Sequence, residues 1–453
     1  MIRDMTKGNI YNHIVQFSIP IILGNIFQLT YNAVDSIIVG KFAGTKALAA
    51  VGTSDPIVNM LILGISGICI GASVLMSEFF GAKIYEDIKN EFATTISIGM
   101  GITAIIVILG LLLSNTILKL IQTPPEIMAD ANSYLKLVFI GAPFTCLYNI
   151  YSAGLRSIGD SKTPINFLAI SSVLNGCLDY IFIKIFDMGV VGAGLATVFA
   201  EGISAVLCMV YVFRKVPMLH VERKHFKFNR RLINRTFSLG SITALQQCCQ
   251  PFGKLFIQSA VNYHGVSVIA AFNAASKIEN FALIPEQSIS HSMMTFTAQN
   301  DGAKKPKRIK DGFRSGIMLE MGYAVFICAV LLIFICTIIT LFKTDLMSLF
   351  GSESDHQMIT EGVKYLSVMA FLYCLSGLTN GLQGYFRGLG NMSITFISTS
   401  MQITIRVIFT FILSPSMGIE GIAFASGIGW IAMLVVEYSY YFWYRKKHKK
   451  MFQ

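Results

Sequence analysis

The sequence predicts an all-α polytopic membrane protein, with twelve transmembrane helices in two six-helix lobes related by a pseudo-two-fold axis along the membrane normal. Three observations predict it. Hydrophobic residues fill 54% of the 453 positions and charged residues only 13%, with a mean hydropathy of +0.62; the apolar runs are far longer than the strands or amphipathic helices of soluble domains. One plainly polar linker, Arg214 to Arg235, divides the chain into halves, each with room for six spans. Short motifs of the first half also recur about 220 to 231 residues later, as internal repeats do. Phe17-Ser18 returns as Phe237-Ser238, Gly44 as Gly265, and Gly81-Ala82-Lys83 as Gly302-Ala303-Lys304. Tyr134-Leu135 returns as Tyr365-Leu366, Arg156 with Gly159 as Arg387 with Gly390, and Gly189 with Gly192 as Gly418 with Gly421. Six spans is an even number, so both copies have the same orientation and the relating axis lies along the normal.

Hydropathy punctuated by Gly, Pro and charge places the first six spans near 14–39, 48–79, 93–114, 132–154, 163–186 and 190–213. The second six follow near 237–260, 268–299, 316–341, 361–384, 392–414 and 419–443. The expected organisation is an N-lobe over 1–213, a basic linker over 214–236, a C-lobe over 237–444 and a basic tail over 445–453. Twenty-six of the 36 Lys and Arg fall on the side that holds both termini and the linker, seven on the other side, and three, Lys254, Lys277 and Arg406, inside spans. By the positive-inside rule the termini and the linker are cytoplasmic, and the +11 net charge is mostly a topology signal. A nucleic-acid partner is not supported; membrane lipids are the partners such a surface meets. The N-terminus lacks a short apolar core followed by a small-residue cleavage site, so its first hydrophobic segment is expected to be retained.

These spans leave no room for a soluble catalytic domain. No GxxxxGK[ST] phosphate loop is present, so ATP hydrolysis within the chain is not expected, and the seven His are scattered without HExxH. The nine Cys lie in apolar segments with no CxxC or zinc spacing and read as buried, inert thiols.

The first span, Phe17 to Gly40, carries a carboxylate, Asp35. An acid costs several kcal/mol in hydrocarbon, so it should face the bundle interior or water. At about 100° per residue, Asn25, Gln28, Asn32 and Asp35 share one polar stripe, and Pro20 near its start is a place where the helix can bend. In span five, Asn175 and Asp179 are four apart and share a face, and Thr197 in span six offers a hydroxyl.

The second half departs from its twin. Phe256 stands where an equivalent of Asp35 would fall, and span seven instead carries Gln246, Gln250, Lys254 and Gln258 on one face. Lys277, Glu279, Glu286 and His291 follow in span eight, and Gln402 and Arg406 in span eleven. A buried cation needs a partner, and Glu286 is expected to neutralise Lys254. Gln250, Lys254, Glu286 and Arg406 are therefore the candidate C-lobe residues for substrate or coupling.

NAVDSIIVG at 32–40, FFGAK at 79–83 with QNDGAKK at 299–305, and LRSIGDSKTP at 155–164 together resemble the multidrug and toxic compound extrusion (MATE) family across essentially the whole chain. The resemblance is closest to the DinF-like and archaeal branch. It implies a cation-coupled exporter in which an acid on the first helix gathers with an Asn and an Asp on the fifth and a Thr on the sixth; Asp35, Asn175, Asp179 and Thr197 occupy those positions, and Pro20 matches the bending proline. Two carboxylates with amide and hydroxyl oxygens suit a proton, or Na⁺ as the bound metal, so H⁺ or Na⁺ is the expected coupling ion and no other cofactor is expected. The expected function is antiport that exports lipophilic, cationic small molecules across the bacterial cytoplasmic membrane, by a monomer as the default state. The alternative is a lipid-linked-sugar flippase of the same superfamily, which predicts a strongly cationic cavity. A major-facilitator antiporter would carry a DRxGRR-type signature where this chain reads GAKIYEDIKN, and a passive channel would conduct without exchange.

Arg156, Gly159 and Asp160 read as architecture: a snorkelling cation, a turn, and a cap for span five supplied by Asp160 or Ser161. Tyr31, Tyr148, Tyr151 and Met60 are candidate lining residues for flat cations.

Overall fold

The computed structural model describes residues 2–227, 229–343 and 353–448. Residues 449–453 of the expected basic tail lie outside the described residues. Among the described residues every regular element is helical: α1 (Ile10–Ile38), α2 (Thr45–Ala82), α3 (Tyr85–Leu120), α4 (Pro125–Ser157), α5 (Lys162–Asp179), α6 (Gly189–Lys215), α7 (Arg230–Asn262), α8 (Val266–Gly302), α9 (Pro306–Lys343), α10 (Glu353–Gly388) and α11 (Met392–Lys447). Two of them widen at their ends into π-helical turns, Val39–Ala43 after α1 and Tyr180–Ile185 after α5.

Length and composition give nine candidate membrane spans among the described residues, with α11 counted once. At 1.5 Å per residue, the 56 residues of α11 would reach more than twice the hydrocarbon thickness. The helix breaks at Gly418, with φ 60° and ψ −137° three residues after Pro415, into two spans where two were expected. The helices α7 and α8, 33 and 37 residues long, have the length to cross, and their Gln, Lys and Glu residues make them more polar than the nine. Twelve rods result. They outrun the expected spans, as α3 does by several residues at each end, because hydropathy senses only the apolar middle while the helix continues through its polar ends.

The repeat is written in the backbone. Positive φ occurs at Gly44 (89°) and Gly265 (89°), at Lys83 (61°) and Lys304 (53°), at Gly159 (87°) and Gly390 (73°), and at Gly189 (53°) and Gly418 (60°). Each pair holds corresponding positions of the two halves. The lysines are the telling pair, since a left-handed conformation costs a residue with a Cβ about 1–2 kcal/mol. At Lys83 the cost is offset by closing α2: its N–H donates to Phe80 O at 3.1 Å, and that of Ile84 to Phe79 O at 3.0 Å. Lys305 N–H closes α8 onto Asn300 O at 2.9 Å.

Packing groups the residues into two units. Unit one holds the N-terminal segment to Lys7, Ile19–Cys248 and Gly302–Lys304; unit two holds Gly8–Ser18, Cys249–Asp301 and the chain from Lys305 onward. The division runs through α1 and α7 rather than along the polar linker. Within unit one, α7 meets α2 backbone to backbone: a Cβ on Gly71 would overlap Gly240, and one on Gly67 would overlap Ala244. Beside this seam Arg235 Nη2 reaches Glu78 Oε2 at 2.6 Å, and Thr236 Oγ1 donates to the fully buried Glu91 at 2.8 Å. Small residues are what allow helices to approach so closely where no water drives them together.

Unit one packs around Ile65, Met76, Phe92, Ile150 and Leu155, with a second cluster around Ala50, Leu135, Phe139 and Ile183. Unit two packs around Ala271, Tyr365, Met369, Tyr373 and Ile422. Three of the nine thiols, Cys69, Cys146 and Cys208, are buried as expected, whereas Cys177 and Cys336 are exposed. An apolar residue on a membrane helix has no cause to avoid the outer face, because hydrocarbon solvates it as well as the core does. Asp160, not Ser161, caps α5, accepting from Thr163 N at 3.1 Å and from Thr163 Oγ1 at 2.7 Å.

Candidate functional site

Asp35 sits on the penultimate turn of α1, just before the π-helical Val39–Ala43, and Asp179 is the last residue of α5 before the π-helical Tyr180–Ile185. The two π-helical turns pack on each other within unit one. Phe42 meets Tyr180 edge-on at 5.7 Å, and Lys184 Nζ lies 5.1 Å from the Phe42 ring and 4.7 Å from the Tyr180 ring while donating to Tyr180 Oη at 2.8 Å. A π-helical turn inserts an extra residue and commonly marks a functional position in a helix. Here the aromatic clasp ties the ends of α1 and α5 together beside the two acids.

The Asp35 and Asp179 carboxyls act on each other electrostatically. Asn175, one turn before Asp179, donates from Nδ2 to Thr197 Oγ1 at 3.5 Å, and Thr197 Oγ1 donates to Ala193 O at 3.1 Å. The four residues expected to gather do so, on α1, α5 and α6. Asp179 and Asn175 are 0% and 1% exposed. Asp35 and Asp179 lie within hydrogen-bond reach of each other, and apart from that facing carboxyl no donor reaches Asp35 Oδ1, Asn175 Oδ1 or either Asp179 oxygen, all of which are buried. Four such acceptors in one place need a donor or a cation, because a buried unpartnered acceptor costs about 1–3 kcal/mol. Among the described residues no three His, Cys, Asp or Glu side chains form a metal-holding group. The quartet is of another kind: two carboxylates, an amide and a hydroxyl, all oxygen donors, which fit a proton or a hard monovalent ion.

The rest of the polar stripe on α1 is not drawn in. Asn25 is half-buried, and Gln28 and Asn32 are exposed. Pro20 stands two residues beyond Ser18, where α1 passes from unit two to unit one. On α7 the change falls between Cys248 and Cys249, and Pro251 stands two residues beyond it. α1 and α7, the helices that change unit in their interior, each carry a proline beside the change, whereas α8 changes only at its last residue, Gly302.

Other groups around the quartet escaped sequence reasoning. Asp35, Asp179 and Glu201 all act on Tyr31 and Tyr134, and Asp55 lies in the field of Asp35. Glu201 accepts a hydrogen bond from Thr145. One signal was available: Glu201 is four residues after Thr197 and so shares its helix face. Tyr31 lines an apolar cavity of about 560 Å³ between α1 and α5, together with Phe27, Thr30, Val34, Ser172 and Tyr180. The other proposed lining tyrosines are placed differently: Tyr151 packs edge-on against Phe92 at 5.1 Å in the core, and Tyr148 donates to Pro164 O at 3.1 Å. Met60 is exposed.

In unit two the expected Lys254–Glu286 pair does not form. The carboxylate that acts on Lys254 is Glu279, with Arg406 also in its field. Tyr365 Oη donates to Glu279 Oε2 at 3.3 Å. Glu286 lies two turns farther along α8, about 10 Å, and turns to α10 instead, where Ser376 Oγ donates to it at 2.6 Å. Gln250 and Lys254 are exposed, and Arg406 is half-buried.

The MatE family model matches residues 20–181 and 243–412, one segment in each half. The chain is 31% identical to the probable multidrug resistance protein YpnP of Bacillus subtilis, over 99% of this chain and 98% of that protein. It is 24% identical to the multidrug export protein MepA of Staphylococcus aureus, over 92% and 90% of the two chains. A solved outward-facing multidrug resistance MATE family transporter of the MOP superfamily shares its fold, with a TM-score of 0.87 at 22% identity over 99% of this chain and 98% of that one. The Vibrio cholerae MATE transporter VcmN, solved as a mutant, shares it as well, with a TM-score of 0.88 at 23% identity over 98% and 99%.

Proposed function

The chain belongs to the MatE family, and from that membership we propose that it is a secondary antiporter that exports lipophilic, cationic small molecules in exchange for H⁺ or Na⁺. It is an integral membrane transporter of the multidrug-efflux kind and not an enzyme. The finer reading rests on one observation: on α1 and α5, Asp35, Asn175 and Asp179 hold four buried oxygens that no donor reaches apart from the facing carboxyl. A monovalent cation entering that site cancels one of two like charges and so relieves the repulsion between the carboxylates. Removing the repulsion changes how α1 packs on α5, and Pro20 supplies the place where α1 can yield. The apolar cavity beside Tyr31 takes the flat lipophilic body of the exported compound, and the acids its charge, so that ion and compound compete for the same carboxylates. Competition of that kind makes transport an exchange.

Placement in the bacterial cytoplasmic membrane with both termini cytoplasmic, and assignment to the DinF-like branch, belong to the same proposal. The test is ethidium efflux from proteoliposomes under a pH gradient or a Na⁺ gradient, imposed separately. Efflux that responds to one gradient and is lost in D35N supports the reading. Efflux that persists unchanged in D35N, or flows down its own gradient with neither ion gradient mattering, overturns it.

A further inference from the structure

A second pair of acids lies inside unit two, apart from the Lys254 cluster. Glu286 on α8 and Glu320 on α9 are both 0% exposed, and they act on each other electrostatically. Glu286 Oε2 accepts from Ser376 Oγ at 2.6 Å and from Asn380 Nδ2 at 3.3 Å, both on α10. Its Oε1 and both oxygens of Glu320 are buried without a hydrogen-bond partner.

The bed of Glu320 is made by two glycines of α10. A Cβ on Gly381 would stand 3.5 Å from Glu320 Cγ, and one on Gly377 would stand 3.6 Å from Glu320 Cβ. The α10 turn that holds Gly377 and Gly381 thus packs on the Glu320 stem, and its neighbours Ser376 and Asn380 bond Glu286, so both acids lie against the same stretch of α10. The titratable groups around the pair are Tyr323 on α9 and Tyr373 and Cys374 on α10. Tyr323 Oη is committed to Ala282 O at 2.9 Å. Tyr373 Oη, in the field of Glu286, is itself buried and unpartnered. Among the described residues, no Lys or Arg acts on either acid.

Three carboxyl oxygens and a phenol are thus buried together with too few donors among the described residues. Two charges there would cost several kcal/mol each with nothing to repay them. A Na⁺ ion would ask for about six oxygens in a shell, as hard cations do, and Ser376 and Asn380 already direct their hydrogens at Glu286. One proton on the pair adds a donor and removes one charge.

We propose that Glu286 and Glu320 form a second proton-binding site, held within unit two and titrating independently of Asp35 and Asp179. It stands whichever cation couples at Asp35, since it uses no residue of that site. The test is infrared difference spectroscopy of the full chain in nanodiscs, titrated from acid to alkaline pH and read at the protonated-carboxyl C=O band. A D35N/D179N background silences the first pair. The expected result is a titrating band that survives in that background and is lost when E286Q or E320Q is added. A background spectrum in which neither substitution changes any titrating band overturns the proposal. So does a band removed by Na⁺ at constant pH, which would make the pair a metal site. Should E320Q not fold, E320D keeps the carboxyl while withdrawing it, and must shift the band; an unshifted band overturns the proposal equally.

Discussion

Asp179 ends the α-helical part of α5 with both carboxyl oxygens buried, and the group that acts on it across the α1–α5 contact is the carboxyl of Asp35. The proposed exchange assigns this pair a cation that comes and goes.

Neutral substitution should therefore separate transport from folding. D35N and D179N each abolish gradient-driven dye efflux, with a loss of about tenfold or more, the effect of 1.4 kcal/mol in an equilibrium or a barrier. The same variants keep or raise the thermal unfolding temperature in detergent, because each removes a like-charge repulsion. A lower unfolding temperature in both would assign the pair to the fold.

The prolines where α1 and α7 change unit give a second expectation. Proline in a helix interior is about 3 kcal/mol less favourable than alanine, so P20A and P251A should both raise thermal stability and slow efflux. Measured together, a pair of variants with unchanged efflux would show that neither helix moves at its proline.

In unit two, a double-mutant cycle on thermal stability distinguishes the acid that serves Lys254. K254A with E279Q should show a coupling of about 0.5 kcal/mol or more, and K254A with E286Q should be additive within about 0.3–0.5 kcal/mol, as for sites without shared partners. The reverse pattern would restore Glu286 as the partner.

The α2–α7 seam is a packing claim with a stability readout. G71V forces a side chain into the Gly240 backbone and should destabilise by about 1–3 kcal/mol, the range for overpacking. T236V leaves the buried Glu91 with only the longer bond from Thr95 Oγ1, at 3.4 Å, and should cost about 1–3 kcal/mol. Unfolding temperatures within error of the parent would show that the two helices part easily.

Much of the site was legible because membrane physics makes polar residues conspicuous. Asp35, Asn175, Asp179 and Thr197 stand out within apolar runs, and a resemblance carried along the whole chain assigned them a common place; the structure brings them together on three helices. Glu201, Asp55 and Glu320 stand in equally apolar runs and were passed over, because helical spacing relates residues of one helix and says nothing about which helix lies opposite. Lys254 shows the same limit. Charge balance correctly required an acid for it, and the choice between Glu279 and Glu286, two turns apart on one face, depended on where α10 places Ser376 and Asn380.

By itself the sequence determined what local rules and solvent can determine: the all-helical class, the number of rods, and a repeat that reappears as paired positive-φ positions from Gly44 and Gly265 to Gly189 and Gly418. Hydropathy, turn chemistry and repetition are properties of a residue and its near neighbours along the chain. Tertiary structure alone decided that α1 and α7 each change unit beside a proline, that Gly71 meets Gly240, and that Glu286 and Glu320 lie against the same stretch of α10. Those are contacts between segments tens or hundreds of residues apart, selected by the fit of side-chain volumes and by the partnering of buried polar groups, and neither is expressed until the helices have packed.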